Sequence, residues 1–176
     1  METLKAIAKR KSTRNFNPDR KVPEHLLKTI LEAGCAAPVG AGDAPSLHLT
    51  VVQDAEALAS INKNAQEALK AEGKNFLCGT PALVIVSASD KQKFPNIQYA
   101  NAACMVENML IAATDAGLDN LYLWGSMAAL AGNIELCARL GIPEGFTPVS
   151  AAALGYSDGG EAPERELTIS RTINYV

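Results

Sequence analysis

The stretch IQYANAACMVENMLIAATDA, Ile97 to Ala116, is the longest run of the chain that reads as a single element. Asn101, Asn108 and Asp115 recur every seven positions, so on a helix they form one narrow polar stripe. Almost everything else on it is apolar. A helix of this kind is buried on most of its sides, in a core or against a partner subunit. Glu107, Asn108 and Asp115 interrupt its apolar run, which is too short to span a bilayer.

On the C-terminal side, Asn120–Trp124 (NLYLW) reads as a strand ending at Gly125-Ser126. Asn133 is placed to cap a helix carrying Leu136 and Leu140, closed by Gly141 and Pro143. Thr147–Tyr156 is a last apolar strand, and an extended tail follows from about Ser157 to Val176. On the N-terminal side, Ala82–Ser89 (ALVIVSAS) follows Gly79-Thr80-Pro81 as a short apolar run that suits a buried central strand. Asp54 caps a helix with Leu58, Ile61, Ala65 and Leu69 on one side, and Leu47–Gln53 before it is a strand. Pro23 opens another helix, with Leu26, Leu27, Ile30 and Leu31 on one face and Gly34 in position to end it left-handed. Ala37–Ser46 is a loop, and residues 2–10 form a short helix with Leu4, Ile7 and Ala8 at helical spacing. Helices and strands mix without strict βαβ alternation. The expectation is one α+β domain over residues 1–176, with helices packed on a central mixed sheet.

The chain has 176 residues, 48% apolar and 20% charged, an ordinary globular composition large enough for a core without staples. Cys35, Cys78, Cys104 and Cys137 are widely spaced, with no CxxC pair and no Cys/His pattern. Zinc and thioredoxin-like chemistry are therefore disfavoured, and the thiols read as buried small hydrophobes in a reducing compartment. With no apolar leader at the N-terminus, the expected location is cytoplasmic, with no membrane partner.

Charge is uneven. KRKSTRNFNPDRKVP, Lys9 to Pro23, holds six of the sixteen basic residues of a chain of net charge −3. A localisation signal, a nucleic-acid arm, a solvated loop and an anion site all predict such a cluster. An overall pI near 5.4 disfavours a nucleic-acid partner, whose basic charge normally spreads over a face. His25 and His48 have no evident partners, and no GxSxG, Walker A or HExxH motif is present. Gly40-Ala41-Gly42 precedes a strand instead of following one, the wrong context for a dinucleotide turn. So few acids, bases and nucleophiles imply that, in an enzyme, a cofactor carries the reactive centre. A phosphorylated cofactor needs an anion site, and Arg10, Lys11, Ser12 and Arg14 supply guanidinium forks, an ammonium and a hydroxyl.

Five pieces in order carry a resemblance: AIAKRKSTRNF, ILEAGCAAPVGAG, TPALVIVSAS, YANAACMVENMLIAATDAGL leading to YLWGS, and LGIPEGFTPVSAAALGYSDG. Together they resemble the nitroreductase-like family of FMN-dependent oxidoreductases over nearly the whole chain, including its R-x-S-x-R signature. The resemblance implies a homodimer of α+β subunits with two FMN sites at the subunit interface. It implies NADH or NADPH as electron donor and a small-molecule acceptor such as a nitroaromatic or a quinone. A flavin store or redox partner without efficient turnover is the alternative.

By the resemblance, Arg10, Ser12 and Arg14 hold the flavin's phosphate, ribityl chain and pyrimidine edge, with Lys11 a further candidate. Pro38, Val39, Gly40 and Gly42 belong to a loop that reaches the flavin of the other subunit. Gly125 and Ser126 form the turn whose backbone N–H groups approach the flavin N5. A tail arginine, Arg165 or Arg171, completes the phosphate site. The loop departs from the family's P-S-x-x-N-x-Q-P-W: Pro38-Val39-Gly40-Ala41-Gly42-Asp43-Ala44-Pro45-Ser46 lacks the Ser, Asn, Gln and Trp side chains. Trp124, at a strand end, reads as core packing in preference to a ring stacked on the flavin, and Tyr99 and Phe76 have no better claim.

Overall fold

A computed structural model of the chain describes residues 2–160 and 163–176. Among these residues six α-helices, α1 (Thr3–Lys9), α2 (Glu24–Cys35), α3 (Ala55–Ala68), α4 (Ile97–Asp115), α5 (Gly125–Ala131) and α6 (Ile134–Arg139), accompany four strands. The strands are β1 (Leu47–Val52), β2 (Ala82–Ser89), β3 (Asp119–Leu123) and β4 (Phe146–Gly155), in the order β1-β2-β4-β3. All three ladders are antiparallel. The parallel part of the expected mixed sheet is a single bridge, Ser12 with Asn120, which extends the sheet beyond β3. The α+β architecture is the one the sequence predicts.

β2 and β4 lie in the middle of the sheet and are apolar on both faces, which is why they read as unbroken hydrophobic runs. Val84 and Val86 of β2 and Ala152 and Leu154 of β4 pack with Leu27 and Ile30 of α2 and Met109 and Leu110 of α4. Leu83, Ile85, Ala151 and Ala153 point the other way, onto Ile61 of α3, Met127 and Leu130 of α5 and Leu136 of α6. Pro148 has no N–H to give the ladder, and the register shifts there: Val86 faces Ser150 while Ser87 faces Pro148.

Both predicted caps form, with Asp54 Oδ1 accepting from Ala57 N at 2.8 Å and Asn133 Oδ1 from Leu136 N at 3.0 Å. The expectations for Gly34 and for the cysteines need correction, and the polar stripe of α4 is a bonding face. Asn101 is buried and accepts from Gly40 N at 2.9 Å, and Asn108 Nδ2 donates to Ala33 O at 3.1 Å. These bonds tie α4 to α2 and to the loop after it. Gly34 does not end α2; the helix continues to Cys35, and Gly34 is where α2 crosses α4. A Cβ there would lie 2.7 Å from Met109 Cε and 2.8 Å from its Cγ, so the missing side chain sets the helix spacing. Of the cysteines only Cys137 is buried; Cys78 is half-buried, and Cys35 and Cys104 are exposed. The helix α5 fills the interval between Ser126 and Asn133 that sequence left unassigned.

Valine at position 34 tests the crossing. Overpacking costs about 1–3 kcal/mol, and the helix gains only a few tenths of a kcal/mol from losing a glycine, so packing wins. Gly34→Val is expected to lower the thermal midpoint by several degrees. Equal or higher stability in a calorimetric scan would mean that α2 and α4 have room to spare.

Candidate functional site

The basic stretch is fixed by backbone pairing. α1 stops at Lys9 because Arg10 turns extended, with ψ 124°. The following residues lie along the free edge of β3, with Thr13 N donating to Asn120 O at 2.9 Å. Thr13 is buried and Phe16 is buried, so they anchor the segment while Ser12 and Arg14 stay exposed. Phe16 sits where Gly155 leaves space: a Cβ on Gly155 would fall 3.0 Å from Phe16 Cδ1 and 2.6 Å from Pro81 Cδ. Phe16 N donates to Cys78 O at 3.0 Å and Asn17 N to Tyr156 O at 2.7 Å, which completes the attachment.

Asp119 locks the same segment to β3. Its Oδ1 accepts from Thr13 Oγ1 at 2.9 Å, and its Oδ2 accepts from Ser157 Oγ at 2.7 Å and Ser157 N at 2.8 Å. Lys11 Nζ lies 3.7 Å from Oδ1 and 3.5 Å from Gly160 O, so Lys11 is committed to this anchor. Burial by itself would push the Asp119 carboxyl up. The Ser157 and Thr13 hydrogen bonds and the Lys11 charge outweigh burial and hold it below its ordinary 3.8.

Arg10 turns to α4, its Nε 3.8 Å from Glu107 Oε1, and most of its side chain is covered. The tail brings a second guanidinium to the last turn of α1. Arg165 Nη2 donates to Ile7 O at 3.2 Å and Arg165 N to Ala8 O at 3.2 Å, a cation at a helix C-terminus. Among the described residues Arg171 bonds to Ser170 alone, through its O at 3.0 Å and its Oγ at 2.9 Å, and is not brought to the cluster. Of the two tail candidates, then, Arg165 joins the basic stretch.

The pairing with β3 is the single bridge at Ser12, beyond which Arg14 lies beside Cys78; Trp124, Gly125 and Ser126 follow the other end of β3. No heavy atom lies within 4 Å of the position a Gly125 Cβ would take, so the backbone there faces open space. Ser126 is buried, and its hydroxyl has no partner. The amides of Gly125 and Ser126 open α5 and have no intrahelical acceptors. Trp124 is not core: it is 58% exposed, against the sequence expectation.

The Pro38–Gly42 loop is built elsewhere, on the first turns of α4. Gly40 N is held by Asn101, and a Cβ on Gly40 would fall 2.3 Å from Ile97 Cδ1. Ala41 and Gly42 both have positive φ, 61° and 65°, so the chain turns back sharply. Pro38 is exposed and Val39 half-buried. Among the described residues of one subunit, no hydrogen bond or ion pair joins this loop to the Arg10–Arg14 segment.

Sequence reasoning missed Lys74 and Cys78. Arg14 and Lys74 both lie close enough to Cys78 for their charges to act on its thiol, although burial dominates and pushes it up. The cysteine at Cys78-Gly79, between a polar loop and a strand, was the available signal; both residues have positive φ. Glu107, the counter-ion of Arg10, was also missed. Among the described residues there is no group of His, Cys, Asp and Glu that could hold a metal and no helix long and apolar enough to cross a membrane.

A family model described as the nitroreductase family matches residues 7–156. A protein of Methanothermobacter thermautotrophicus, provisionally named an NADH dehydrogenase/NAD(P)H nitroreductase, is 31% identical over 157 residues, 89% of this chain and 78% of its own length. A Bacteroides fragilis nitroreductase solved with bound FMN superposes at TM-score 0.85 with 28% identity, covering 100% of this chain and 99% of its own. A Desulfitobacterium hafniense nitroreductase, also with FMN, shares the fold at TM-score 0.84 with 23% identity and the same coverage.

The Asp119 anchor gives an acid signature. A carboxylate held below its ordinary value stabilises the fold fully above 3.8, and the contribution is lost as pH falls through the lower native value. Urea unfolding is expected to show Asp119→Asn less stable than the parent near neutrality, with the gap closing as pH drops below 3.8. A gap that stays constant across the acid range would mean that the ionised carboxylate is not the anchor.

Proposed function

The chain belongs to the nitroreductase family, and from that premise we propose that it is an FMN-dependent oxidoreductase. In this reading it is a homodimer that moves electrons from NADH or NADPH to a small acceptor such as a nitroaromatic or a quinone. The observation that carries the reading is the attachment of the basic stretch to β3, the strand that also leads to the open backbone at Gly125 and the orphaned hydroxyl of Ser126. Those features fit a flavin. Arg10 and Arg165 would hold the phosphate, Ser12 the ribityl chain and Arg14 the pyrimidine edge. The Gly125 and Ser126 amides would face the ring.

When bound, the flavin accepts and donates hydride at N5, so no side chain need act as acid or base. The protein's contribution is orientation and charge. Buried Thr13 and Phe16 fix the register of the stretch that carries Arg14, and the Asp119 network keeps that stretch on the sheet. Arg14 then places a permanent cation at the ring edge.

Two features support the homodimer. The outward face of α4 presents Tyr99, Ala100 and Cys104 to solvent, and the tail exposes Leu167, Ile169, Ile173 and Tyr175. Apolar groups grouped in this way suit a second copy of the chain. A second copy would also bring its Pro38–Gly42 loop to a flavin held mainly by the first. That loop has only backbone groups and small side chains to offer, and this favours, as a second reading, a flavin-binding protein that turns over slowly.

The test begins with the visible spectrum of the purified protein, before and after anaerobic NADH and NADPH. A two-peaked flavin band that bleaches is expected. Arg14→Ala should weaken FMN binding by about 1.5–3 kcal/mol, a factor of 10 to 150, while Arg171→Ala leaves it near the parent value. Bleaching without transfer to any acceptor selects the second reading. No flavin band after incubation with FMN would sink both.

A further inference from the structure

Trp124 is the only tryptophan of the chain, and it is 58% exposed. Trp is among the residues most buried on average, and an indole left in water forfeits a large apolar gain. Strand β3 ends one residue earlier, at Leu123, which is buried in the core below the sheet. Trp124 itself is firmly placed: its carbonyl accepts from Met127 N at 3.0 Å and from Ala128 N at 2.9 Å, so it caps α5 from outside. The backbone is anchored while the ring is left in solvent. Directly after it come Gly125, with empty space where a side chain would be, and Ser126, with its unpartnered buried hydroxyl. The other large exposed aromatics, Phe94, Tyr99 and Tyr175, lie before or early in α4 and in the tail, in the regions that suit a second subunit.

We propose that Trp124 is a specificity-determining residue, whose indole forms one wall of the acceptor position and selects flat, electron-poor aromatic acceptors by stacking. The inference rests on the flavin reading of the preceding subsection. A planar ligand that approaches the open backbone at Gly125 has the exposed indole of the preceding residue as its neighbour. Offset stacking of an electron-rich indole on an electron-poor ring adds attraction that a compact inorganic ion cannot gain. The preference is thus written into one side chain and is separable from flavin binding, which the arginines and the Gly125-Ser126 amides would supply.

The experiment uses the FMN-loaded protein with p-nitrobenzoate as aromatic acceptor and ferricyanide as non-aromatic acceptor. The readout is the ratio of kcat/KM for the first to kcat/KM for the second. Trp124→Ala is expected to lower that ratio by about threefold to tenfold, mainly through a higher KM for p-nitrobenzoate. Trp124→Phe, which keeps a ring, should recover most of it. Because every tryptophan photon comes from Trp124, oxidised protein without donor gives a second readout. Titration with p-nitrobenzoate should change the tryptophan emission saturably, beyond the linear quenching given by free N-acetyltryptophanamide. An unchanged ratio together with purely linear quenching overturns the proposal while leaving the flavin reading intact. An unchanged ratio with dissociation of the dimer in Trp124→Ala also overturns it, and assigns the indole to the subunit contact. Failure of the parent protein to bind FMN overturns both readings and is seen beforehand in the absorption spectrum.

Discussion

The candidate site depends on one backbone hydrogen bond and the carboxylate beside it: Thr13 N to Asn120 O, with Asp119 accepting from Thr13 and Ser157. β3 is an edge strand, and an edge presents unpaired N–H and C=O groups that must be covered. The bridge at Ser12 and the Thr13 N–H bond answer part of that requirement and fix which way the neighbouring side chains turn. An extended segment alternates its side chains, so Thr13 turns inward as Ser12 and Arg14 turn outward. A register slip of one residue would bury a guanidinium and expose the anchor. The cost of burying an unpaired charge makes that alternative far less stable than the observed one. The same bonds that close the sheet therefore decide which groups can meet a ligand.

The sheet has to be rigid for this to work, and its composition explains why it is. β4 contributes Ala151, Ala152 and Ala153 in succession, small enough for helices to approach both faces. α4 lies on one side and α5 on the other, so the start of α5, with its free amides, is set by packing against the same strand that carries β3. Gly34 does for α2 and α4 what the alanines do for the sheet, allowing a close crossing that Asn108 then ties with a bond to Ala33 O.

Elements with a strong period or a defined cap were legible in the sequence. The two apolar central strands, the long helix and the Asp54 and Asn133 caps follow from local chemistry that tertiary context did not override. What was illegible depended on neighbours. Gly34 carries the composition of a helix end, yet Met109 of another element explains it. α5 is only seven residues long, too short for a helical period, and its opening Gly-Ser looks like a turn. Cys35 and Cys104 sit in apolar surroundings along the chain but on the outer side of their helices in space. Within the candidate site, the motif names Arg10, Ser12 and Arg14 on one stretch. It could not reveal that Lys11, between them, is committed to Asp119, or that Arg165 and not Arg171 meets α1.

The division of the site within one subunit has a further consequence. The basic stretch belongs to the β3 edge, whereas the Pro38–Gly42 loop belongs to the N-terminal turns of α4, where Gly40 is pinned between Asn101 and Ile97. Neither piece can travel to the other without breaking the packing that forms it, since Gly40 admits no side chain and Thr13 and Phe16 are buried. In the homodimer we propose, a ligand that needs both would sit between two copies, with α4 and its exposed Tyr99, Ala100 and Cys104 at the junction. Glu107, facing Arg10 from α4, then lies where pairing of subunits and binding of an anion would act on the same guanidinium. In this arrangement, dimerisation is a condition for assembling the site: affinity for the ligand and affinity between subunits are linked, and each raises the other.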